Sequence, residues 1–174
     1  FKYVEIMTKI TSVFAFLITL AFLFYSGQPV NARLTAVFFL SMFLFDLTTT
    51  AINNYIDSRD YPEMLPLPRR PALIAIFVMF AVSAGLGLYL AWCTDAVVLI
   101  TGILCFACGV CYTYGPVPIS RLPLGEVFSG IFQGTLIPFL LFYMNAPKGT
   151  LLTLTFASDA VTLTVVPFEL LTLL

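Results

Sequence analysis

Charged side chains are scarce in this chain of 174 residues, and histidine is absent. Lys, Arg, Asp and Glu together make up 10% of the sequence, whereas 60% is hydrophobic; soluble domains carry about 25% charged residues. So few charges cannot cover a folded protein in water, which indicates a lipid environment. The lack of histidine excludes Ser-His-Asp and Cys-His catalysis and His-ligated metal sites. The formal net charge of −1 gives no reason to expect nucleic-acid binding.

Hydrophobic segments long enough to cross a bilayer follow one another along the chain. A spanning helix needs about 20 mostly apolar residues. We predict six spans, the first of them short: Ile10–Tyr25, Leu34–Ile52, Ala72–Trp92, Ala96–Tyr112, Leu124–Met144 and Leu151–Leu174. The sequence therefore predicts an all-α, polytopic transmembrane bundle, with residues 1–174 in a single domain.

Basic residues are distributed unevenly between the two ends of the predicted spans. One end has Lys2, Lys9, Arg59, Arg69, Arg70 and Arg121, and the other has only Arg33 and Lys148. Because Lys and Arg are enriched in cytoplasmic loops, we predict a plasma-membrane protein whose N-terminus and Asn53–Arg70 loop face the cytoplasm.

The second predicted span carries a polar stripe at its cytoplasmic end. At 100° per residue, an arc of about 80° contains Asp46, Thr50, Asn53, Asp57 and Asp60. A carboxylate inside a membrane helix is energetically costly and marks a functional site by default. Carboxylate and amide oxygens suit Mg²⁺, which completes its octahedron with waters or phosphates. The stripe predicts a Mg²⁺–diphosphate site; a solvated helix end, with Asp46 bonded to a neighbouring helix, is the simpler alternative.

Two motifs resemble those of the UbiA-type intramembrane prenyltransferases. The Asn53-x-x-x-Asp57 spacing is similar to the first Asp-rich motif of that family, with Asn54 where many members have Asp. The run Tyr112–Val127 resembles the Tyr-x-x-Gly-Pro-x-Pro…Gly-Glu-Val landmark of the menaquinone-type branch, which prenylates 1,4-dihydroxy-2-naphthoate. The entry into the first span, Glu5 to Ser12, is also similar to that branch.

The resemblance implies a transferase that takes a polyprenyl diphosphate and an aromatic acceptor. It implies that Asn53 and Asp57 are catalytic Mg²⁺ ligands, that Asp60 is a further ligand, and that Asn54 contacts the diphosphate. In the related pattern a Gln and an Asn precede the motif, and Asp46 and Thr50 stand in those places here.

Further candidate residues have simpler explanations beside the functional ones. Basic side chains hold phosphate oxygens, so Lys9, Arg59 and Arg121 are candidate diphosphate ligands, although they also serve as positive-inside anchors. Tyr112 and Tyr114 are candidate pocket residues, because aromatic faces attract cations, or else interfacial anchors. Glu126 is either a pocket residue or a favourable charge at a helix N-terminus.

Three cysteines of the fourth span, Cys105, Cys108 and Cys111, are spaced like iron–sulfur ligands. They lie within an apolar segment without a matching fourth ligand nearby, so we interpret them as packing residues.

The resemblance also implies about nine spans and a second acidic motif beyond the sixth. We therefore expect this sequence to be an N-terminal two-thirds fragment. Two alternatives are a UbiA-type enzyme with another acceptor, such as 4-hydroxybenzoate or a lipid precursor, and a non-enzymatic membrane protein such as a transporter.

Overall fold

The chain forms a bundle of apolar helices followed by a short β-hairpin. The computed structural model describes residues 10–59, 65, 67–113, 127, 130, 132–147, 152–156 and 161–165. The helices are α1 (Ile10–Tyr25), α2 (Ala32–Asp57), α3 (Arg69–Cys93), α4 (Ala96–Thr113) and α5 (Ile137–Asn145), with a π-helical segment, Phe132–Leu136, leading directly into α5. The strands are β1 (Leu152–Phe156) and β2 (Val161–Val165).

Local sequence signals explain where the first connection lies. Gly27 has a φ of 67°, and the amides of Gly27 and Gln28 donate to the carbonyls of Phe24 and Leu23 at 3.2 and 3.1 Å. This is the Schellman arrangement, which requires a left-handed residue and therefore favours glycine. The side chain of Asn31 then accepts a hydrogen bond from the amide of Leu34 at 3.2 Å and caps the start of α2.

Helices α2 and α3 form the most extensive contact in the bundle. At its centre the buried Ser41 hydroxyl donates to the carbonyl of Ser83 at 2.9 Å, and the Ser83 hydroxyl donates to the carbonyl of Ser41 at 2.7 Å. Small residues let helix backbones approach closely in membranes. The two reciprocal bonds therefore fix the register of α2 against α3.

Hydrogen bonds also join the helices at the end of the bundle where α5 finishes. The buried Asn145 side chain accepts a hydrogen bond from the amide of Asn31 at 2.6 Å and donates to the hydroxyl of Thr35 at 3.2 Å. The carboxylate of Asp95 caps α4 through the amide of Val97 at 3.0 Å and accepts a hydrogen bond from the Tyr143 hydroxyl at 2.6 Å. The end of α5 is thus tied to the starts of α2 and α4.

The surface of the bundle is too apolar for water. In the described part of the chain, α2 and α3 are long and apolar enough to cross a membrane, with mean hydropathies of 1.6 and 2.4 over their 18-residue windows. Only 33% and 17% of these windows are buried, whereas a core helix of a soluble protein is mostly enclosed. Large apolar side chains are also exposed on α1 and α4. The prediction of an all-α membrane bundle is confirmed.

The prediction of a sixth spanning helix, Leu151–Leu174, is wrong for the residues that the structure describes there, because they form two strands. Strands β1 and β2 pair antiparallel, with Thr153 opposite Thr164 and Leu154 opposite Leu163. Threonine alternates with apolar residues along both strands, and the register pairs threonine with threonine and apolar residues with apolar residues. A period of two and β-branched side chains favour strands, although the average hydropathy of the segment resembles that of a membrane helix.

Candidate functional site

A cavity of about 430 Å³ lies between the helices. All five α-helices and the π-helical segment contribute to its wall. Its volume falls within the range of roughly 300–1,000 Å³ that is usual for small-molecule sites.

Polar side chains of the cavity come mainly from α2. Those that line it are Thr11 and Ser12 of α1, Ser41, Asp46, Thr49, Thr50 and Asn53 of α2, Tyr112 of α4 and Gln133 of the π-helical segment. The structure thus brings four sequence-predicted site residues to one cavity, namely Asp46, Thr50, Asn53 and Tyr112. The common orientation of Asp46, Thr50 and Asn53 follows from the helical period that aligned these α2 residues in sequence.

Asp46 is held by a bond between two helices. The hydroxyl of Ser12, which is only 2% exposed, donates to Oδ2 of Asp46 at 2.5 Å. A hydrogen bond to a charged acceptor is short and about twice as strong as a neutral one. Ser12 therefore stabilises the carboxylate and fixes α1 beside the cavity-lining face of α2.

Asn53 faces the cavity, and its side chain makes no hydrogen bond to any residue that the structure describes. Asp57 follows one turn later on the same face of α2 and is half-buried. Asn54 is buried. Ala51 lies three residues before it on α2 and packs with Ala72 and Ile76 of α3.

Arg59 is exposed immediately after α2. Of the predicted diphosphate and metal ligands in the described ranges, Asn53 alone lines the cavity, whereas Asn54, Asp57 and Arg59 do not.

The donor set at the end of α2 suits Mg²⁺ in chemistry and is incomplete in number. Asn53 and Asp57 offer hard oxygen donors one helical turn apart, and such donors are what Mg²⁺ prefers. Within residues 10–59 and the other described ranges, no three His, Cys, Asp or Glu residues cluster as a metal site. These residues therefore suit an ion that takes one or two ligands from the protein and several further ligands from a phosphorylated substrate.

Aromatic rings form much of the apolar wall. Phe45 and Phe106 line the cavity with ring centroids 4.1 Å apart, and Phe80 meets Phe106 edge-on. Gly109 makes room for this pair, because a Cβ at that position would lie 2.5 Å from the ring of Phe45. The ring of Phe45 is thus held between a glycine and a second ring.

Two cavity features were not found by sequence reasoning. Gln133 lies on the π-helical segment and lines the cavity. Cys105 and Cys108 also line it as free thiols. The signal for Gln133 was present, since it is a single polar amide within the apolar segment Phe132–Met144 that continues into α5.

Five predicted site residues lie outside the described residues and stay predictions. They are Lys9, Asp60, Tyr114, Arg121 and Glu126. Arg69, which the sequence placed only among the orienting basic residues, lies over the ring of Tyr55 with 4.9 Å between its guanidinium carbon and the ring centroid. This cation–π contact joins the end of α2 to the start of α3.

Comparison with known proteins gives one similarity of note. The chain is 32% identical over 69 residues to a 1,4-dihydroxy-2-naphthoate octaprenyltransferase of Bacillus subtilis (strain 168). The matched segment covers 40% of this chain and 22% of that relative. No family model and no solved structure matches the chain. The similarity supports a prenyltransferase as the class of protein.

Proposed function

We propose that this chain belongs to a membrane-embedded prenyltransferase that joins a polyprenyl group to an aromatic acceptor. The main support for this proposal is the cavity, which combines the polar stripe Asp46–Thr50–Asn53 with an aromatic wall inside an apolar bundle. A diphosphate needs the polar part, and a prenyl chain needs the apolar part. The partial similarity to a naphthoate octaprenyltransferase supports the same reaction class.

In the proposed reaction the bond between the allylic carbon and the diphosphate oxygen breaks, and its electron pair leaves with the diphosphate. A new bond then forms between that carbon and a ring carbon of the acceptor. That ring carbon releases the substituent it carried, a proton or a carboxylate lost as CO2, and the electron pair of the broken bond restores the aromatic ring. The side chains of Asn53 and Asp57 would hold Mg²⁺, which supplies charge neutralisation of the leaving diphosphate when it is bound. Phe45 and Phe106 line the cavity, exclude water and offer aromatic faces to the developing cation.

The proposed acceptor is 1,4-dihydroxy-2-naphthoate. This choice is supported by the printed name of the relative and by the Gly115-Pro116-x-Pro118 part of the second motif. A direct competition between 1,4-dihydroxy-2-naphthoate and 4-hydroxybenzoate, which has one ring and one hydroxyl, tests this choice.

Removal of the proposed metal ligands tests the reaction. We expect Asp57→Ala and Asn53→Leu to lower prenyl transfer by the full chain by about 100-fold or more, because each loses stabilisation of the leaving group worth several kcal/mol. Asn53→Asp, which keeps an oxygen donor, should retain much of the activity. Transfer is measured with a radiolabelled polyprenyl diphosphate and each acceptor, with and without EDTA.

Two controls make this test decisive. EDTA should abolish transfer, and excess Mg²⁺ should restore it. Asn31→Asp, at the opposite end of α2, keeps an N-cap residue and should leave transfer unchanged. Undiminished activity of Asp57→Ala would contradict the assignment of the metal site, and absence of transfer by the unmodified protein to either acceptor would contradict the proposed function.

A further inference from the structure

Among the residues that the structure describes, Gln133 is the one cavity-lining carboxamide to which the proposed reaction gives no role. It lies on the π-helical segment Phe132–Leu136 and is half-buried. Its amide makes no hydrogen bond to the residues that the structure describes. Since Gln133 lies at the wall of the cavity, its amide is placed to bond a polar group bound there.

The π-helical segment is the part of the chain that carries Gln133 at the cavity wall. π-helical turns are rare, occur mostly as single turns inside α-helices, and are frequent at functional sites. Here the wider turn lies between two cavity-lining residues, Phe132 and Leu136, and α5 continues from it without a break.

The depth of Gln133 separates it from the proposed diphosphate end. Asn145 of α5 bonds Thr35 of α2 at 3.2 Å, which gives the two helices a common reference level. At about 5.4 Å per turn, Gln133 lies about three turns from that level, as Asp46 does. Asn53 lies about five turns from it on the same scale. The amide of Gln133 is therefore deeper in the bundle than Asn53, by roughly two turns.

We propose that Gln133 binds the polar ring substituent of the aromatic acceptor, deeper in the cavity than the diphosphate. A carboxamide both donates and accepts hydrogen bonds, and a phenolic hydroxyl or a carboxylate on an aromatic ring supplies the matching partner. A prenyl chain has no such group, so Gln133 selects for the acceptor and not for the chain. This inference rests on the proposed function and names one of its substrate-binding residues.

The test uses Gln133→Met, which keeps the length of the side chain and removes both hydrogen-bonding groups. We expect it to weaken equilibrium binding of 1-hydroxy-2-naphthoate, an acceptor analogue, in the absence of polyprenyl diphosphate, by roughly tenfold, as one lost hydrogen bond predicts. The KM for the acceptor should rise by a similar factor, while the KM for the polyprenyl diphosphate stays within twofold. Binding is measured by calorimetry on the purified full chain in lipid nanodiscs.

Two further variants make the result specific. Gln133→Glu keeps oxygens that accept hydrogen bonds, but its negative charge should repel the carboxylate of the aromatic substrate. It should therefore weaken binding at least as much as Gln133→Met. Gln28→Leu changes the exposed glutamine after α1 and should leave both constants unchanged. Equal unfolding temperatures of the Gln133 variants and the unmodified protein would show that the fold is intact.

The outcomes separate this inference from the reaction itself. Acceptor affinity within twofold of the unmodified protein in Gln133→Met overturns the role of Gln133, even if prenyl transfer is observed. An equal rise in KM for both substrates also overturns it. Tenfold weaker binding of the naphthoate analogue without any prenyl transfer supports Gln133 as an aromatic-acid ligand while the proposed function fails. Lack of binding to the unmodified protein overturns the inference.

Discussion

A carboxylate in a membrane helix is tolerated only where other groups satisfy it. Asp46 is such a residue, and its partner Ser12 comes from a different helix. The bond therefore does two things at the scale of one residue pair. It keeps a polar group stable beside the cavity, and it fixes the distance between α1 and α2.

Removing the Ser12 hydroxyl should destabilise the bundle. We expect Ser12→Ala to lower the free energy of unfolding by about 1.5–3 kcal/mol, the usual worth of a hydrogen bond to a charged group. Thr19→Val is the matched control on α1, because the buried Thr19 hydroxyl donates only to the carbonyl of Ala15 in its own helix, at 2.8 Å. Loss of the Thr19 hydroxyl should lower the free energy of unfolding by less than about 1 kcal/mol.

Reversible denaturation of the purified protein in mixed micelles measures both variants. In the background of Asp46→Leu, Ser12→Ala should lose most of its effect, since the two residues act as a pair. Equal destabilisation by Ser12→Ala and Thr19→Val would contradict the importance of the interhelical bond.

Sequence reasoning identified residues on α2 better than residues elsewhere. Asp46, Thr50 and Asn53 share one helix face, so the period of 3.6 residues was enough to align them. Ser12 and Gln133 come from other elements, and no period within one helix reports on which neighbours will meet. In addition, the π-helical segment changes the direction of side chains from residue 132 onward, which an ideal helix does not represent.

Among the elements, α4 is shaped by its glycines. Gly102 and Gly109 both line the cavity, but their surroundings differ. A Cβ on Gly102 would meet nothing within 4 Å, whereas one on Gly109 would lie 2.5 Å from the ring of Phe45. The same substitution at the two positions should therefore have opposite effects.

We expect Gly109→Ala to destabilise the protein by about 1–3 kcal/mol, the usual cost of overpacking, and to push the ring of Phe45 towards the cavity. Gly102→Ala should be neutral or stabilising by up to about 1 kcal/mol, because alanine is the better helix former. Thermal unfolding in detergent measures both. Phe45→Leu combined with Gly109→Ala should recover stability; a Gly109→Ala protein as stable as Gly102→Ala would contradict the packing argument.

Helix positions were more predictable than helix ends. The predicted first span coincides with α1, Ile10–Tyr25, because Gly27 ends it with a recognisable signal. Helix α2 continues to Asp57, past the predicted span end at Ile52, as the alignment of Asn53 and Asp57 on one helix face predicts. The hairpin was missed because average hydropathy does not distinguish a spanning helix from strands that alternate threonine with leucine or valine.

On the scale of the whole molecule, the native cysteines report on orientation. Cys93 ends α3 and Cys111 lies near the end of α4, and both are exposed. Only Thr94 and Asp95 separate α3 from α4, and a Cβ on Gly87 of α3 would lie 3.9 Å from the ring of Phe106 of α4. The two helices therefore run antiparallel, and the two thiols lie at opposite ends of the bundle. Cys111 shares its end with Asn53 and the predicted cytoplasmic loop.

An impermeant maleimide should therefore label Cys93 but not Cys111 from outside the cell. The experiment uses two variants, each with one of these cysteines and alanine at the other three cysteine positions. Intact cells or sealed right-side-out vesicles are labelled before and after permeabilisation. We expect Cys111 to react only after permeabilisation. The reverse pattern would place the Asn53 end of α2 outside the cell and contradict the predicted topology.

The paired bonds between Ser41 and Ser83 bear on how α2 is accommodated in lipid. Helix α2 is the less apolar of the two long helices, with Asp46 and several hydroxyls along its length, so it partitions into lipid less readily when alone. Helix α3 is more apolar and packs directly against it. The two bonds satisfy the hydroxyls of Ser41 and Ser83 inside the helix pair, so that the two helices present a more apolar surface to lipid than α2 would alone.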